Sequence, residues 1–210
     1  MKEQMKIANV VIRRMPKYRR YLKDLQKKGV DKISSGEFSR LIGYTASQIR
    51  QDFNNFGGFG QQGYGYNVEA LYNETNAILG LDKEYKMVVV GAGNLGQAII
   101  NYTNYYKSGF VVAGIFEKNP KLFGVKINDI EIKDYEFLAD FVKENEIDIG
   151  IICTPKENAQ DVADKLSGAG VKGIWNFAPL DIAVPESVTL ENTHLSDSLH
   201  YLAYHINKAK

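Results

Sequence analysis

Gly91, Gly93 and Gly96 stand at the spacing G-x-G-x-x-G. They follow the apolar run Met87-Val88-Val89-Val90 and precede Ala98, Ile99, Ile100 and Tyr102 at helical positions. A strand feeding a glycine turn that opens a helix is the arrangement that carries a dinucleotide pyrophosphate. The first glycine makes the turn, Gly93 lets the backbone approach the pyrophosphate, and Gly96 lets the helix pack closely. Ala92, Asn94 and Leu95 complete the loop, whose N–H groups and helix dipole favour an anion. A second apolar run ends in Phe116-Glu117-Lys118, and Glu117 falls 21 residues beyond Gly96. A carboxylate there binds the adenosine ribose hydroxyls. A 2′-phosphate would be repelled by that acid and would want an arginine, and none follows Arg50. The expected cofactor is therefore NAD(H) rather than NADP(H), with Lys118 a partial compensation at most. An exposed acid at a strand end is the alternative reading of Glu117.

Two later apolar runs end in Cys153-Thr154-Pro155 and in Asn176-Phe177-Ala178-Pro179. Ligands of doubly wound sheets sit at the carboxyl ends of the strands, so these six residues before Pro179 are the expected nicotinamide neighbourhood. Cys153 reads either as a redox-sensitive thiol or, more commonly for a free cysteine, as a small buried hydrophobe. Catalysis needs a base or a metal beside the nicotinamide. No His, Asp or Glu directly follows a later strand, the single cysteine excludes a multi-Cys zinc site, and all three histidines lie in the last 17 residues. No catalytic residue and no metal ligand is expected.

A second chemistry lies in front of the first. Residues 1–84 hold 14 Lys+Arg against 9 Asp+Glu, and the remainder 12 against 16, so a net charge of +1 conceals a basic front and an acidic back. All six arginines lie within the first fifty residues. The arginine fork suits phosphates and guanine edges, which points to nucleic acid, the alternative being a solvated basic face.

The elements that must position these groups can be read in order. Pro16 suits a first helical turn, followed by Tyr18, Tyr21, Leu22 and Leu25 at helical spacing. Ser34-Ser35-Gly36-Glu37 is a capping box opening a short helix that ends at Gly43, and Thr45-Ala46-Ser47-Gln48 is a second box opening a third helix. Two short helices about a glycine turn form a helix-turn-helix. Ile49, Phe53 and Phe56 face inward. Thr45, Ser47, Gln48, Arg50, Gln51 and Asn54 supply the expected DNA-reading groups, with Lys17 and Tyr18 from the first helix. The segment 56–66 carries five glycines among aromatics and reads as a wing, with Phe59, Gly60, Gln61, Gln62, Gly63 and Tyr64 at its tip, or else as a flexible hinge. Asn67 then caps a helix running to Leu79, and Gly80 marks the junction.

Strands and helices alternate after that, with helices at 137–144 and 159–166, which implies a parallel, doubly wound sheet. The expected architecture is α/β: a winged-helix DNA-binding domain at 1–80, a Rossmann-type NAD(H) domain at 81–190, and a C-terminal helix at 191–210. That helix carries Leu195, Leu199, Tyr201, Leu202, Tyr204 and Ile206, a face too wide for a free tail, so a homodimer is expected. No basic-then-apolar leader and no long apolar run is present, which leads to the expectation of a cytoplasmic protein with no membrane contact.

The chain resembles the redox-sensing repressor family Rex. Thr45 to Asp52, Phe56 to Gly60, Gly65 to Val68, the run Gly91 to Gly96, and Trp175 to Pro179 carry the likeness, in order, over essentially the whole sequence. The resemblance implies a cytoplasmic homodimer that binds double-stranded operator DNA when NAD⁺ dominates and is released by NADH. It also implies that the C-terminal helix is swapped into the partner between its two domains. Tyr102 matches a tyrosine near the nicotinamide, and Arg20 an arginine of an interdomain switch. The sequence departs from relatives at Gln61-Gln62, where many are basic, at Glu117, where Asp is usual, and at His194, where many carry the acid that pairs with the switch arginine. Such a switch here needs another acid, for example Asp197. A small NAD-dependent oxidoreductase with a basic docking domain is the alternative from another functional class.

Overall fold

The structure, a computed structural model, describes residues 7–57, 65–102, 105 and 108–208. The chain divides into two compact units, 1–83 and 84–210. The wing residues Phe59, Gly60, Gln61, Gln62, Gly63 and Tyr64 lie outside the described residues.

Unit one contains α1 (Asn9–Ile12), α2 (Met15–Lys27), β1 (Lys32–Ile33), α3 (Ser35–Ile42), α4 (Ala46–Asn54), β2 (Tyr66–Asn67) and α5 (Val68–Ile78). Pro16 sits in the first turn of α2, where its missing N–H costs nothing. Ser34 and Glu37 form the expected reciprocal box at the start of α3. At α4 only half of the second box forms. Thr45 Oγ1 accepts from the Gln48 N–H at 3.2 Å, but the Gln48 amide turns to Asp52 instead. The box would use Gln48 as an acceptor for the Thr45 N–H, whereas here its Nε2 donates to the buried Asp52 carboxylate, a charge-assisted bond and the stronger of the two. Met15, Tyr18 and Leu22 of α2, Phe38 and Ile42 of α3, Ile49 and Phe53 of α4, and Val68 and Leu71 of α5 make one core. β1 and β2 pair antiparallel, Ile33 opposite Tyr66, and bracket both α3 and α4.

Unit two contains β3 (Tyr85–Val90), α6 (Asn94–Ile100), β4 (Phe110–Glu117), β5 (Lys126–Ile127), β6 (Ile130–Asp134), α7 (Leu138–Glu144), β7 (Ile149–Ile152), α8 (Lys156–Ala169), β8 (Gly173–Asn176), β9 (Thr189–Asn192) and α9 (Leu195–Lys208). The sheet order is β5-β6-β4-β3-β7-β8-β9, parallel except for the β5–β6 hairpin. Six parallel strands in this order are the Rossmann arrangement, with the switch point beside β3. From Met87 to Val90, β3 is an unbroken apolar run because both its faces are covered there. Val88 and Val90 pack toward α7 and α8, and Met87 and Val89 toward the α6 side.

Two pieces differ from the sequence expectation. The β5–β6 hairpin turns at Asn128 (φ 48°) and Asp129 (φ 66°), a primed turn too short to mark itself by periodicity. Residues 191 and 192 belong to β9, so the C-terminal helix starts at Leu195 rather than at 191. Among the described residues no helix is long and apolar enough to cross a membrane.

Candidate nucleotide crevice and nucleic-acid interface

The loops after β3 and β7 meet at the switch point. A cavity of about 250 Å³ opens there, lined by Gly91, Gly93, Glu117, Lys118, Thr154 and Asn158 among others. The three motif glycines have different reasons to be glycine. At Gly91, φ is +101° and a Cβ would lie 2.6 Å from the Cys153 carbonyl oxygen. A Cβ on Gly96 would collide with the Gly91 carbonyl. Both are demanded by the fold. Gly93 is not: its φ of −71° suits any residue, and a Cβ there meets nothing within 4 Å. It opens α6 without a side-chain cap, so the space before the helix is left clear. Ala92 sits wholly buried behind the turn, and Gln97 Nε2 donates to its carbonyl at 2.9 Å, fixing the loop from within the helix. Asn94 is exposed and Leu95 half-buried.

Glu117 ends β4 with its carboxylate directed at this loop. Oε2 accepts from the Ala92 N–H at 2.9 Å, and Oε1 from the N–H groups of Lys118 (2.7 Å) and Asn119 (3.1 Å). Across the cavity Thr154 Oγ1 is buried with no hydrogen-bond partner. An unpaired buried hydroxyl costs about 1–3 kcal/mol, and a ligand oxygen or nitrogen would satisfy it. The open cradle at Gly93 and this orphaned hydroxyl fit a bound dinucleotide. The Cys153 thiol is pushed up to about 12 by burial, which leaves almost no thiolate at neutral pH and favours the small-hydrophobe reading over the redox one.

Other expected cofactor residues are placed less favourably. The Phe116 side chain is fully buried, packed edge-on against Phe141 at 5.3 Å, so it serves the core and not a ligand. Asn176 is also buried, and its side chain is spent: Nδ2 donates to the Leu180 carbonyl (2.8 Å) and Asn192 Oδ1 (2.9 Å), and Oδ1 accepts from the Ala178 N–H (3.0 Å). It ties the loop after β8 to β9. Ala178 is buried beneath it, which leaves the half-buried Phe177 as the member of that trio with open surface. Tyr102 is exposed, and its ring meets Tyr105 edge-on at 4.8 Å. Tyr105 in turn packs against Trp175, and Trp175 against Phe177. Asn158 and Tyr135 also line the crevice and were missed: a polar residue on a helix surface and an aromatic in a short 3-10 turn carry no sequence signal of their own.

In unit one, α4 presents three stripes. Ile49 and Phe53 face the core. Ser47, Arg50 and Asn54 are exposed on one side. Gln48, Gln51, Asp52 and Asn55 line a hollow of about 400 Å³ together with residues of α1 and Arg14. The Arg50 guanidinium stays at the surface, donating to Ser35 Oγ at 2.9 Å, and Thr45 and Ser47 share a hydroxyl contact of 3.1 Å. Lys17 is half-buried over the Tyr44 ring at 4.6 Å. Tyr18 is corrected: it is wholly buried, and its hydroxyl donates to Asp52 at 2.6 Å, so it holds the domain together and does not face a ligand. Arg20 is exposed beside Tyr21, and His194 Nε2 lies 3.0 Å from Asp181 Oδ1.

Asp52 is the residue whose role the sequence does not reveal. It sits on α4 with no exposed surface and takes four hydrogen bonds: two from Arg14 (2.6 and 2.7 Å), one from Tyr18 and one from Gln48 (3.0 Å). Burial pushes its carboxyl up, but the donors from Arg14, Tyr18 and Gln48 outweigh it and hold the carboxyl below the ordinary range. The network clamps α4 onto α2.

Comparisons with known proteins cover both units. Residues 6–54 match a family model described as a putative DNA-binding protein N-terminus, and residues 82–180 one described as a CoA binding domain. A redox-sensing transcriptional repressor Rex of Thermoanaerobacter pseudethanolicus is 60% identical over 208 residues, 99% of this chain and 93% of that protein. One from Clostridium perfringens is 56% identical over 207 residues, 99% of this chain and 98% of that protein. Among solved structures, RSP in complex with β-NAD⁺ and operator DNA superimposes with a TM-score of 0.94 at 60% identity, over 98% of this chain and 94% of that one. RSP in complex with β-NADH gives 0.91 at 56% identity, over 98% and 96%.

Proposed function

We infer function from a firm premise: the chain belongs to the Rex family of redox-sensing transcriptional repressors. It is a DNA-binding repressor that senses the balance of NADH and NAD⁺, and NADH uptake releases it from operator DNA. The dinucleotide is the signal and not a reagent, so the oxidoreductase alternative is set aside. The observation that carries this reading is the pairing, in one chain, of the Gly93 cradle facing Thr154 and Glu117 with a helix-turn-helix unit bearing an exposed Arg50.

Within the crevice, the turn from Gly91 to Gly96 would take the pyrophosphate, Glu117 the adenosine ribose, and Thr154 a polar group of the ligand. In unit one, Ser47, Arg50, Gln51 and Asn54 would reach the duplex, with Thr45 and Lys17 nearer the backbone. The protein works as a homodimer. The face of α9 bearing Leu195, Leu199, Leu202 and Ile206 is exposed, and an apolar hollow of about 400 Å³ crosses the same unit's sheet at Met87, Ile149 and Trp175, so both surfaces call for cover by a second copy. The place of action is the cytoplasm, where the NAD(H) pool and the operator are both available.

Such a dimer has two states that differ in the spacing of the recognition helices, and only one matches two half-sites. A ligand shifts that balance only through different affinities for the two states. A hundredfold loss of operator affinity corresponds to about 2.7 kcal/mol of coupling, and by reciprocity operator DNA must weaken NADH binding equally. The test is a mobility shift on the DNA upstream of the protein's own gene, titrated with NADH and then NAD⁺. Release by NADH alone is the expected result. Equal response to both dinucleotides, or NADH affinity untouched by operator DNA, would sink the scheme.

The Arg50→Ala variant is expected to lose specific operator binding while NADH affinity stays intact. One good base contact contributes roughly 1–3 kcal/mol, and two symmetric copies act together. Competition between operator and random duplex at fixed salt reads the effect. Loss of both functions together would indicate misfolding instead.

A further inference from the structure

We infer that Asp161 is a specificity-determining residue: by holding the Lys118 ammonium away from the ribose end of the crevice, it closes the site to NADP(H). The assignment rests on the nucleotide reading above and names a residue outside the glycine turn and outside the acid at the strand end.

Lys118 follows Glu117 directly and lines the same cavity. It is the cation placed where a 2′-phosphate would want one. Its presence ought to soften the rejection that Glu117 imposes. The structure gives that ammonium other partners. Lys118 Nζ donates to Asp161 Oδ2 and to Asn158 Oδ1, both at 3.2 Å and both on α8, and it lies 4.6 Å over the Tyr135 ring. Asp161 is itself anchored, since the Tyr135 hydroxyl donates to the same Oδ2 at 2.9 Å. Those donors hold the Asp161 carboxyl below its ordinary range, so it carries a full negative charge at neutral pH. Asp161 thus holds the one ammonium, the Glu117 carboxylate stays on the backbone N–H groups of Ala92, Lys118 and Asn119, and two carboxylates stand against one cation beside the crevice, a balance unfavourable to a phosphate dianion. An adenosine 2′-hydroxyl is indifferent to that balance and needs only the Glu117 acceptor.

The pair is partly exposed, with 47% of the Lys118 and 63% of the Asp161 side chain accessible, so its hold is modest and removable without harm to the fold. That makes it open to test. NADH and NADPH affinities would be measured by fluorescence titration on the full-length protein carrying Glu117→Ser, Asp161→Ala, Asp161→Asn and their combinations. Glu117→Ser alone should admit NADPH weakly. Adding either Asp161 substitution should improve NADPH affinity by about fivefold more, the scale of an exposed ion pair. Asp161→Asn matters because it retains an acceptor for Tyr135 while losing the charge. Asp161→Ala alone should leave NADH affinity within about twofold, which also reports that the fold is intact. Adding Lys118→Ala to the double variant should erase the gain. If NADH binds normally but the Asp161 substitutions leave NADPH affinity unchanged, or if the gain survives loss of Lys118, the assignment is overturned and the nucleotide site stands. If the wild-type protein fails to bind NADH, the site and the assignment fall together.

Discussion

A Gly93→Val variant is expected to bind operator DNA normally and to ignore NADH, with dinucleotide affinity down by about a hundredfold or more, equivalent to roughly 2.7 kcal/mol. The expectation follows from what surrounds that position. The backbone is extended, with φ at −71° and ψ at −174°, and such a conformation favours a β-branched residue if anything. Nothing of the protein stands within 4 Å of a Cβ there. The substitution therefore costs the folded chain little, and its methyl groups occupy the space in which a pyrophosphate would approach the start of α6. Titration of NADH fluorescence and a mobility shift with and without NADH measure the two halves separately. Retention of the NADH response would mean that the pyrophosphate does not lie over this turn.

The neighbouring glycines give a built-in contrast. Gly91→Val and Gly96→Val should lose thermal stability of unit two as well as the nucleotide, because their side chains would run into the Cys153 and Gly91 carbonyls. One motif thus holds two glycines that packing requires and one that it does not. The spacing alone treats the three alike, and only the three-dimensional surroundings separate them.

Much of the fold was legible for a physical reason. The central strand β3 is buried on both faces and so reads as a continuous apolar run, and the capped helices α3 and α5 announce their starts through Ser34 and Asn67. What stayed hidden was short or indirect. The β5–β6 hairpin offers too few residues for periodicity, and β9 alternates only partly buried side chains. Within the site, chain position identified the loops but not which side chains were free. Asn176 and Phe116 stand at the carboxyl ends of strands, where ligands bind, yet one is saturated by its own loop and the other fills the core. Tyr18 looks from its sequence like part of a basic DNA-facing helix, and helical spacing does not distinguish that face from the buried one when Asp52, 34 residues away, supplies the partner.

That partner sets the second large effect. Asp52→Ala is expected to destabilise unit one by roughly 3–5 kcal/mol, because it strands the Arg14 guanidinium and the Tyr18 hydroxyl without their acceptor. A domain's whole stability is about 5–15 kcal/mol, so operator binding should fail at physiological temperature. Unit two has its own core, and NADH binding should persist, the opposite outcome to Gly93→Val. Denaturant unfolding followed by far-UV circular dichroism and by NADH fluorescence would resolve the two units. Replacing the ion pair by apolar residues, Arg14→Met with Asp52→Leu, should be milder than Asp52→Ala alone, since no buried charge is left unpaired. The depressed folded pKa of Asp52 fixes the sign of the acid response. Its contribution is complete above the ordinary carboxylate value of 3.8 and is lost as pH falls through the lower folded value, so unit one should weaken in acid and Asp52→Leu in the double variant should flatten that dependence. An Asp52→Ala protein as stable as the wild type would mean that the clamp of α4 onto α2 contributes nothing. In that case the recognition helix would owe its position to the packing of Ile49 and Phe53 and to contacts such as that of Arg50 with Ser35.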